Sequence, residues 1–319
     1  ETPGPMKDSK LTPRITQTAL ALWSIYIGIT TACTLCYWVA GMSFFDALCH
    51  SFSTVAIGGF STHDASMGFF DSPLIEGTAI FFMVISGLNF SLHFITWQRR
   101  SIKHYLRDEE VRFYLGALVS GTVIVTLVLA SESVYELPVA FRHALFEVVS
   151  VFTTTGFGIA DFSSWPGMLP YLVFFGAFTG ACAGSTGGGM KVMRVVLICK
   201  QGAREIYRLI HPHAVFPIKL NKRPLPGSVI ESVWGFFAVY VITFLLMLIM
   251  LVATGLDFES AFSAAGASIN NLGPGLGSVA QHYGDISPAA KLILCVAMVL
   301  GRLEIFTLLV LLSPMFWRK

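Results

Sequence analysis

The chain has 319 residues, of which 54% are apolar and only 13% charged, with a formal net charge of +2. A mean hydropathy of +0.69 with so few charges is more than a soluble fold can hide, since an average soluble domain carries roughly 25% charged residues. The composition excludes a disordered chain, a nucleic-acid-binding domain and an ordinary cytosolic enzyme, and leaves a polytopic membrane protein.

Residues 1–10 are polar, with Pro3 and Pro5, and have the character of a loop rather than a signal peptide. The chain is therefore expected to begin partway through a longer protein. A bilayer core takes about 20 apolar residues per helix. That predicts spans over 18–41, 73–97, 111–130, 168–199, 228–254 and 288–316, the fourth of them interrupted. Between the members of each pair lie shorter apolar stretches, 44–57, 141–154 and 258–269, too short to cross and of the length of re-entrant helices. Lys7, Lys10 and Arg14 precede the first span. Arg99, Arg100, Lys103, Arg107 and Arg112 fill one inter-pair linker, and Lys200, Arg204, Arg208, Lys219, Lys222 and Arg223 the next; Arg318 and Lys319 close the chain. The positive-inside rule then makes the termini and both long linkers cytoplasmic, so the short helices enter from outside. The outer loops are acidic, with Asp46, Asp64, Asp71, Glu132, Glu136, Asp161, Asp257, Glu259 and Asp285. This is either a solvated face or a vestibule that concentrates cations.

The three units superpose in sequence. Ala47, Ala144 and Ala261 fall in register, as do Leu48, Leu145 and Phe262, giving units of spanning helix, short helix, Gly loop, spanning helix over 1–110, 111–224 and 225–319. The predicted loop strands are Ala56, Ile57, Gly58 and Gly59; Thr153, Thr154, Thr155 and Gly156; and Asn270, Asn271, Leu272 and Gly273. Extended backbone at membrane depth persists only where it is buried or lines a wet cavity, and its carbonyls otherwise lack partners. Rings of carbonyls replace an ion's hydration shell, and the negative ends of the short helices favour a cation. The alternative is three interhelical turns without a ligand.

At these residues the chain resembles the TrkH/Ktr/HKT superfamily of potassium transport proteins, its bacterial TrkH members above all. Ile57-Gly58-Gly59-Phe60-Ser61-Thr62, Thr153-Thr154-Thr155-Gly156-Phe157 and Asn270-Asn271-Leu272-Gly273-Pro274 carry the likeness. It implies an all-α membrane protein of tandem helix–pore loop–helix repeats around a pseudo-four-fold pore, with potassium as substrate, no cofactor and no catalytic residue. The filter glycines would be Gly59, Gly156 and Gly273, with Gly58 and Gly59 both open for the first. Three repeats cannot close a four-fold ring, so an N-terminal repeat is expected to be missing. The resemblance further implies a homodimer in the bacterial inner membrane and a cytosolic ring of nucleotide-binding, TrkA-like regulatory subunits, for which the basic, Pro-rich 201–223 is a contact candidate.

Gly184, Ser185, Thr186, Gly187, Gly188 and Gly189 interrupt the fourth span. Each Gly costs about 1 kcal/mol in a helix relative to Ala, so the run should form an intramembrane loop that obstructs the pore from below, which the family also implies. Close packing is the alternative; a phosphate loop is disfavoured because Lys191 does not complete the motif and no strand precedes it. Arg302 lies within an apolar helix, where a charge faces water or a partner. Glu304, two residues on, points elsewhere on a helix, which leaves Arg302 free to face the conduction path; the resemblance implies an arginine near the pore with a part in gating, and a buried salt bridge to another helix is the alternative. Asn89, His93, Glu147 and Lys291 are expected to be packing or interfacial groups, Cys33 and Cys36 packing residues, and His211 and His213 a weak metal pair. The predicted function is selective, channel-like potassium transport, gated by residues 184–189, Lys191 and Arg302. An ion-coupled transporter of a small solute, which also uses broken helices, is the alternative.

Overall fold

The computed structural model describes residues 15–317; the terminal cations Lys7, Lys10, Arg14, Arg318 and Lys319 lie outside them. The first unit comprises α1 (Ile15–Val39), α2 (Phe44–Val55), α3 (Pro73–Ser86) and α4 (Phe90–Arg99), followed by the linker helix α5 (Lys103–Arg107). The second comprises α6 (Glu109–Ser131), α7 (Leu137–Phe152), α8 (Leu169–Thr179) and α9 (Val192–Ile210), and leads into an antiparallel hairpin, β1 (Lys219–Leu220) with β2 (Arg223–Pro224). The third comprises α10 (Gly227–Ala253), α11 (Phe258–Ile269), α12 (Pro288–Arg302), α13 (Ile305–Leu312) and α14 (Pro314–Trp317).

The helix starts follow from local chemistry. Ser43 caps α2 by accepting the Asp46 amide, Asp257 caps α11 through the Ser260 amide, and Ser287 caps α12 through the Ala290 amide, with Pro288 in the first turn. The bond from the Ser260 amide holds the Asp257 carboxyl below the usual range. The long helices α1, α6 and α10, of 25, 23 and 27 residues, exceed the ~30 Å hydrocarbon core at 1.5 Å per residue. α2 and α11, 12 residues each, reach only about 18 Å. Ala47, Ala144 and Ala261 are fully buried, and these small side chains let each short helix sit close to its neighbours. Apolar residues that stay exposed, such as Trp23 and Ile27 on α1 or Ile242, Leu246 and Ile249 on α10, form the face a bilayer covers.

Two predicted spans are not straight. Residues 73–97 divide into α3 and α4, which meet at 92°, and residues 288–316 into α12 and α13, which meet at 104°. Among the described residues three helices are long and apolar enough to cross, or five if each bent pair counts as one. The first bend falls at Gly87–Asn89, where Asn89 caps α4 through the Ser91 amide; the second follows Gly301, with Glu304 at φ +57°. Sequence hydropathy registers neither, because the segments on both sides of each break are apolar. Residues 201–223 are also not one loop: α9 runs on to Ile210, and the hairpin turn at Asn221 and Lys222, both at positive φ, folds the rest.

Candidate functional site: three glycine strands over an intramembrane loop

Each short helix ends in the same way. The amides of Ile57, Thr154 and Asn271 bond to the carbonyls of Thr54, Val151 and Ser268, and the amides of Gly58, Thr155 and Leu272 reach back to Ser53, Ser150 and Ala267 at 2.7–2.8 Å. These paired bonds form a Schellman-type cap. Its left-handed residue is not glycine: Ile57, Thr154 and Asn271 stand at φ +53°, +65° and +54°. Asn tolerates this region, whereas β-branched Ile and Thr are strained there. The chain then re-enters positive φ two residues later, at Gly59, Gly156 and Gly273. The common geometry fixes the first strand's register on Gly59.

The strands touch in sequence order. A Cβ on Gly59 would stand 2.0 Å from the Thr155 carbonyl oxygen, and one on Gly156 would stand 2.1 Å from that of Leu272. The residue before each glycine thus abuts the glycine of the preceding unit. On the third unit the corresponding position is open: a Cβ on Gly273 would meet nothing within 4 Å.

Among the described residues no donor reaches the backbone oxygens of 56–59, 153–156 or 270–272, while Gly273 O accepts from the Tyr283 hydroxyl at 2.8 Å. A cavity of about 1230 Å³ runs alongside, lined by 56–60, Thr155, Gly156, 271–274 and Arg302. Thr153, Thr154 and Asn270 are fully buried and do not line it. Their side chains hold the assembly together: Thr153 Oγ1 bonds Thr155 Oγ1 at 2.7 Å, Thr154 Oγ1 accepts the Gly188 amide at 2.7 Å, and Asn270 Oδ1 accepts from Tyr240 at 2.7 Å; Asn271, which lines the cavity, reaches Met298 O through Nδ2.

The chain above the strands is braced by the short helices. Glu147, 1% exposed, accepts the amides of Ile159 at 2.8 Å and Ala160 at 3.0 Å. His50 Nε2 contacts Ser61 Oγ at 2.9 Å, and Ser263 Oγ accepts the Leu276 amide at 2.8 Å. Arg142 joins Glu76 and Asp71, tying α7 to the start of α3. The sequence marks Glu147 as a packing or interfacial group, and it leaves Arg142 unassigned.

The glycine run lies directly below. A Cβ on Gly188 would meet Asn270 O at 2.0 Å, and one on Gly187 would meet Thr153 O at 2.9 Å. Thr186 Oγ1 bonds Val55 O at 2.8 Å, and the Gly188 amide bonds Thr154 Oγ1 at 2.7 Å. Glycine is required here for close approach to the strands above. The helix breaks of the other two units receive this loop. The Cys182 amide takes Gly87 O at 2.9 Å, and Gly184 O accepts the Phe90 amide at 3.0 Å, so polar groups freed at the α3–α4 break are satisfied. From the α12–α13 break, Arg302 Nη1 reaches Thr186 O at 3.2 Å, and Glu304 pairs with Arg194 at 2.9 Å. Arg302 and Glu304 have different partners because the helix breaks between them, Arg302 ending α12 and Glu304 preceding α13 at φ +57°, and not because of their spacing on one helix. Lys191 is buried and bonds Gly187 O. Ser185 caps the local turn on Cys182 O at 2.6 Å. Lys291 lines the cavity and reaches Gly284 O at 2.7 Å, whereas His93 sits away from it between Tyr105 and Ile85 O.

A helical membrane protein in which three short helices each end in a glycine-bearing strand, the strands meeting beside one cavity, has the architecture of the pore-loop class. The family model TrkH, described as a cation transport protein, matches residues 1–319, and the chain belongs to that family. The Trk system potassium uptake protein TrkH of Halomonas elongata is 57% identical over 319 residues, which is all of this chain and 66% of that protein. The protein of the same name from Escherichia coli K12 is 52% identical over 320 residues. The crystal structure of the potassium transporter TrkH from Vibrio parahaemolyticus matches with a TM-score of 0.92 at 52% identity, covering 96% of this chain and 66% of that one. The chain thus spans about two thirds of the length of these relatives, 66% in each comparison.

Proposed function

We propose that the chain forms three of the four sides of a potassium-selective, channel-like uptake pore. Backbone oxygens of 56–59, 153–156 and 270–273 replace the hydration shell of the ion. The observation that carries this is the row of strand carbonyls that, Gly273 O apart, no donor reaches among the described residues, beneath three short helices whose negative ends point at them. A buried carbonyl without a partner costs roughly 1–3 kcal/mol, and a desolvated cation offsets that cost for several at once. A fourth pore-loop unit closes the ring, seating its carbonyl against Gly273 as Thr155 and Leu272 sit against Gly59 and Gly156.

Residues 184–189 form the gate, with Lys191 and Arg302 as its charged supports. The contacts of Gly187 and Gly188 with the lowest strand carbonyls support this, as does the placing of a cation at Thr186 O. The protein resides in the bacterial inner membrane as a homodimer with its basic linkers cytoplasmic. Both linkers meet at one end of the fold, where Lys200 pairs with Glu109 and Asn221 bonds Asp108. A TrkA-like nucleotide-binding subunit docks on that face. The test is rubidium uptake into liposomes holding the intact protein: uptake that excess sodium fails to suppress supports the reading, and equal competition by sodium and potassium overturns it.

A further inference from the structure

Glu110 occupies a place that the pore reading does not use. It lies in the first turn of α6 and is 6% exposed, and one of its carboxylate oxygens accepts two backbone amides, Ala183 at 2.6 Å and Met193 at 3.1 Å. Those residues flank the glycine run on either side. Both feet of the intramembrane loop therefore rest on a single oxygen of a different helix.

The turn that carries Glu110 is itself held by the hairpin. Asp108 Oδ1 caps α6 through the amides of Glu110 at 2.9 Å and Val111 at 3.1 Å. Its Oδ2 accepts from Asn221 Nδ2 at 2.9 Å, while Asn221 Oδ1 accepts the Glu109 amide at 2.8 Å. Lys200 pairs with Glu109 and also reaches Lys219 O at 2.7 Å. Asn221 is exposed at the tip of the hairpin, more than a hundred residues along the chain from the helix start that it holds. An unbroken series of hydrogen bonds thus runs from a solvent-facing turn, through residues 108–110, to both ends of the loop. A displacement of the hairpin must either move the α6 start or break these bonds, and either event changes the footing of the loop.

We infer that Glu110 is the positioning residue of the intramembrane gate, and that the 219–224 hairpin is the handle through which its position is set. This rests on residues 184–189 acting as the gate. It makes the α6 start, rather than the Gly-rich segment itself, the part of the molecule whose placement decides how far the loop reaches under the strands.

The test measures rubidium uptake and rubidium-over-sodium discrimination in liposomes holding equal amounts of intact protein. Glu110→Ala leaves two buried amides without an acceptor and should raise uptake about tenfold at unchanged discrimination. Glu110→Gln keeps an oxygen able to accept both amides and should stay near the parent rate; this rescue separates positioning of the loop from a need for charge. Asn221→Ala, on the exposed turn, should raise uptake by a smaller factor and add nothing in the Glu110→Ala background. It also carries the test if Glu110→Ala fails to fold, since an Asn221→Ala protein with parental uptake overturns the inference. Arg302→Ala serves as the control. If it raises uptake while Glu110→Ala does not, the inference falls and the gate stands; if neither does, both fall. Increased uptake in Glu110→Ala with lost discrimination also overturns the inference, because the strands would then be disturbed rather than the loop.

Discussion

The strands at 56–59, 153–156 and 270–273 and the loop at 184–189 are both irregular, glycine-bearing backbone at membrane depth, yet their polar groups are handled in opposite ways. Among the described residues the strand oxygens are left without donors, apart from Gly273 O. The loop is bonded at almost every step: Cys182 to Gly87, Gly184 to Phe90, Thr186 to Val55 and Arg302, Gly187 to Lys191, and Gly188 to Thr154. A backbone whose carbonyls go unclaimed is built to receive a ligand, whereas one held by many separate protein contacts can exchange them one at a time. The two regions also use glycine differently. Gly59, Gly156 and Gly273 all stand at positive φ, as do Gly184 and Gly189 of the loop, whereas Gly187 and Gly188 serve only the close approach of two backbones.

The largest effect that would break this contrast belongs to Gly156→Ser. At φ +84° the new Cβ would stand 2.1 Å from Leu272 O, so the strand must shift and the oxygens with it. Rubidium uptake should lose its discrimination against sodium by roughly tenfold or more, the outcome of a few kcal/mol of displaced coordination; intact discrimination would remove Gly156 from the filter. Arg302→Ala comes next. It removes a cation that holds Thr186 O without touching the strands, so flux should rise by about two- to fivefold, in line with the loss of one charge-assisted hydrogen bond partly open to water, while selectivity stays constant. Flux that is unchanged or lower at equal protein level would deny Arg302 a barrier role. The smallest effect is expected for Gly273→Ala. Its φ of +103° opposes a side chain, but no atom lies within 4 Å, so the cost within this chain is backbone strain of about 1–2 kcal/mol. A defect as severe as that of Gly156→Ser would locate a further wall of the pore beside Gly273.

The sequence shows the architecture clearly because length, hydropathy and charge each constrain it. The positions of α1, α6 and α10, the re-entrant length of α2, α7 and α11, and the interruption at 184–189 are all set by apolar runs and glycine content. The bends at Gly87–Asn89 and after Gly301 are hidden because apolar residues continue through them and the partners that satisfy the freed backbone come from the second unit. The glycines at 59, 156 and 273 are legible as a repeat. The strained left-handed residues Ile57 and Thr154 are not, since a β-branched side chain at positive φ is imposed by the tertiary structure against its own preference. Of the three, only Asn271 carries a local signal. Glu147 is an isolated carboxylate in an apolar helix, a signal of function at membrane depth, whereas Glu110 follows Asp108 and Glu109 at a helix start, where acidic residues are ordinary; the amides both hold are too distant along the chain to infer from pattern.

The most direct test of the central claim is an anomalous-scattering map of the intact protein with rubidium in place of potassium. The account requires peaks in contact with the backbone oxygens of the Gly59, Gly156 and Gly273 strands, above the glycine loop. Rubidium found only in the outer acidic vestibule, with the strand oxygens turned to protein donors or to lipid, would contradict it.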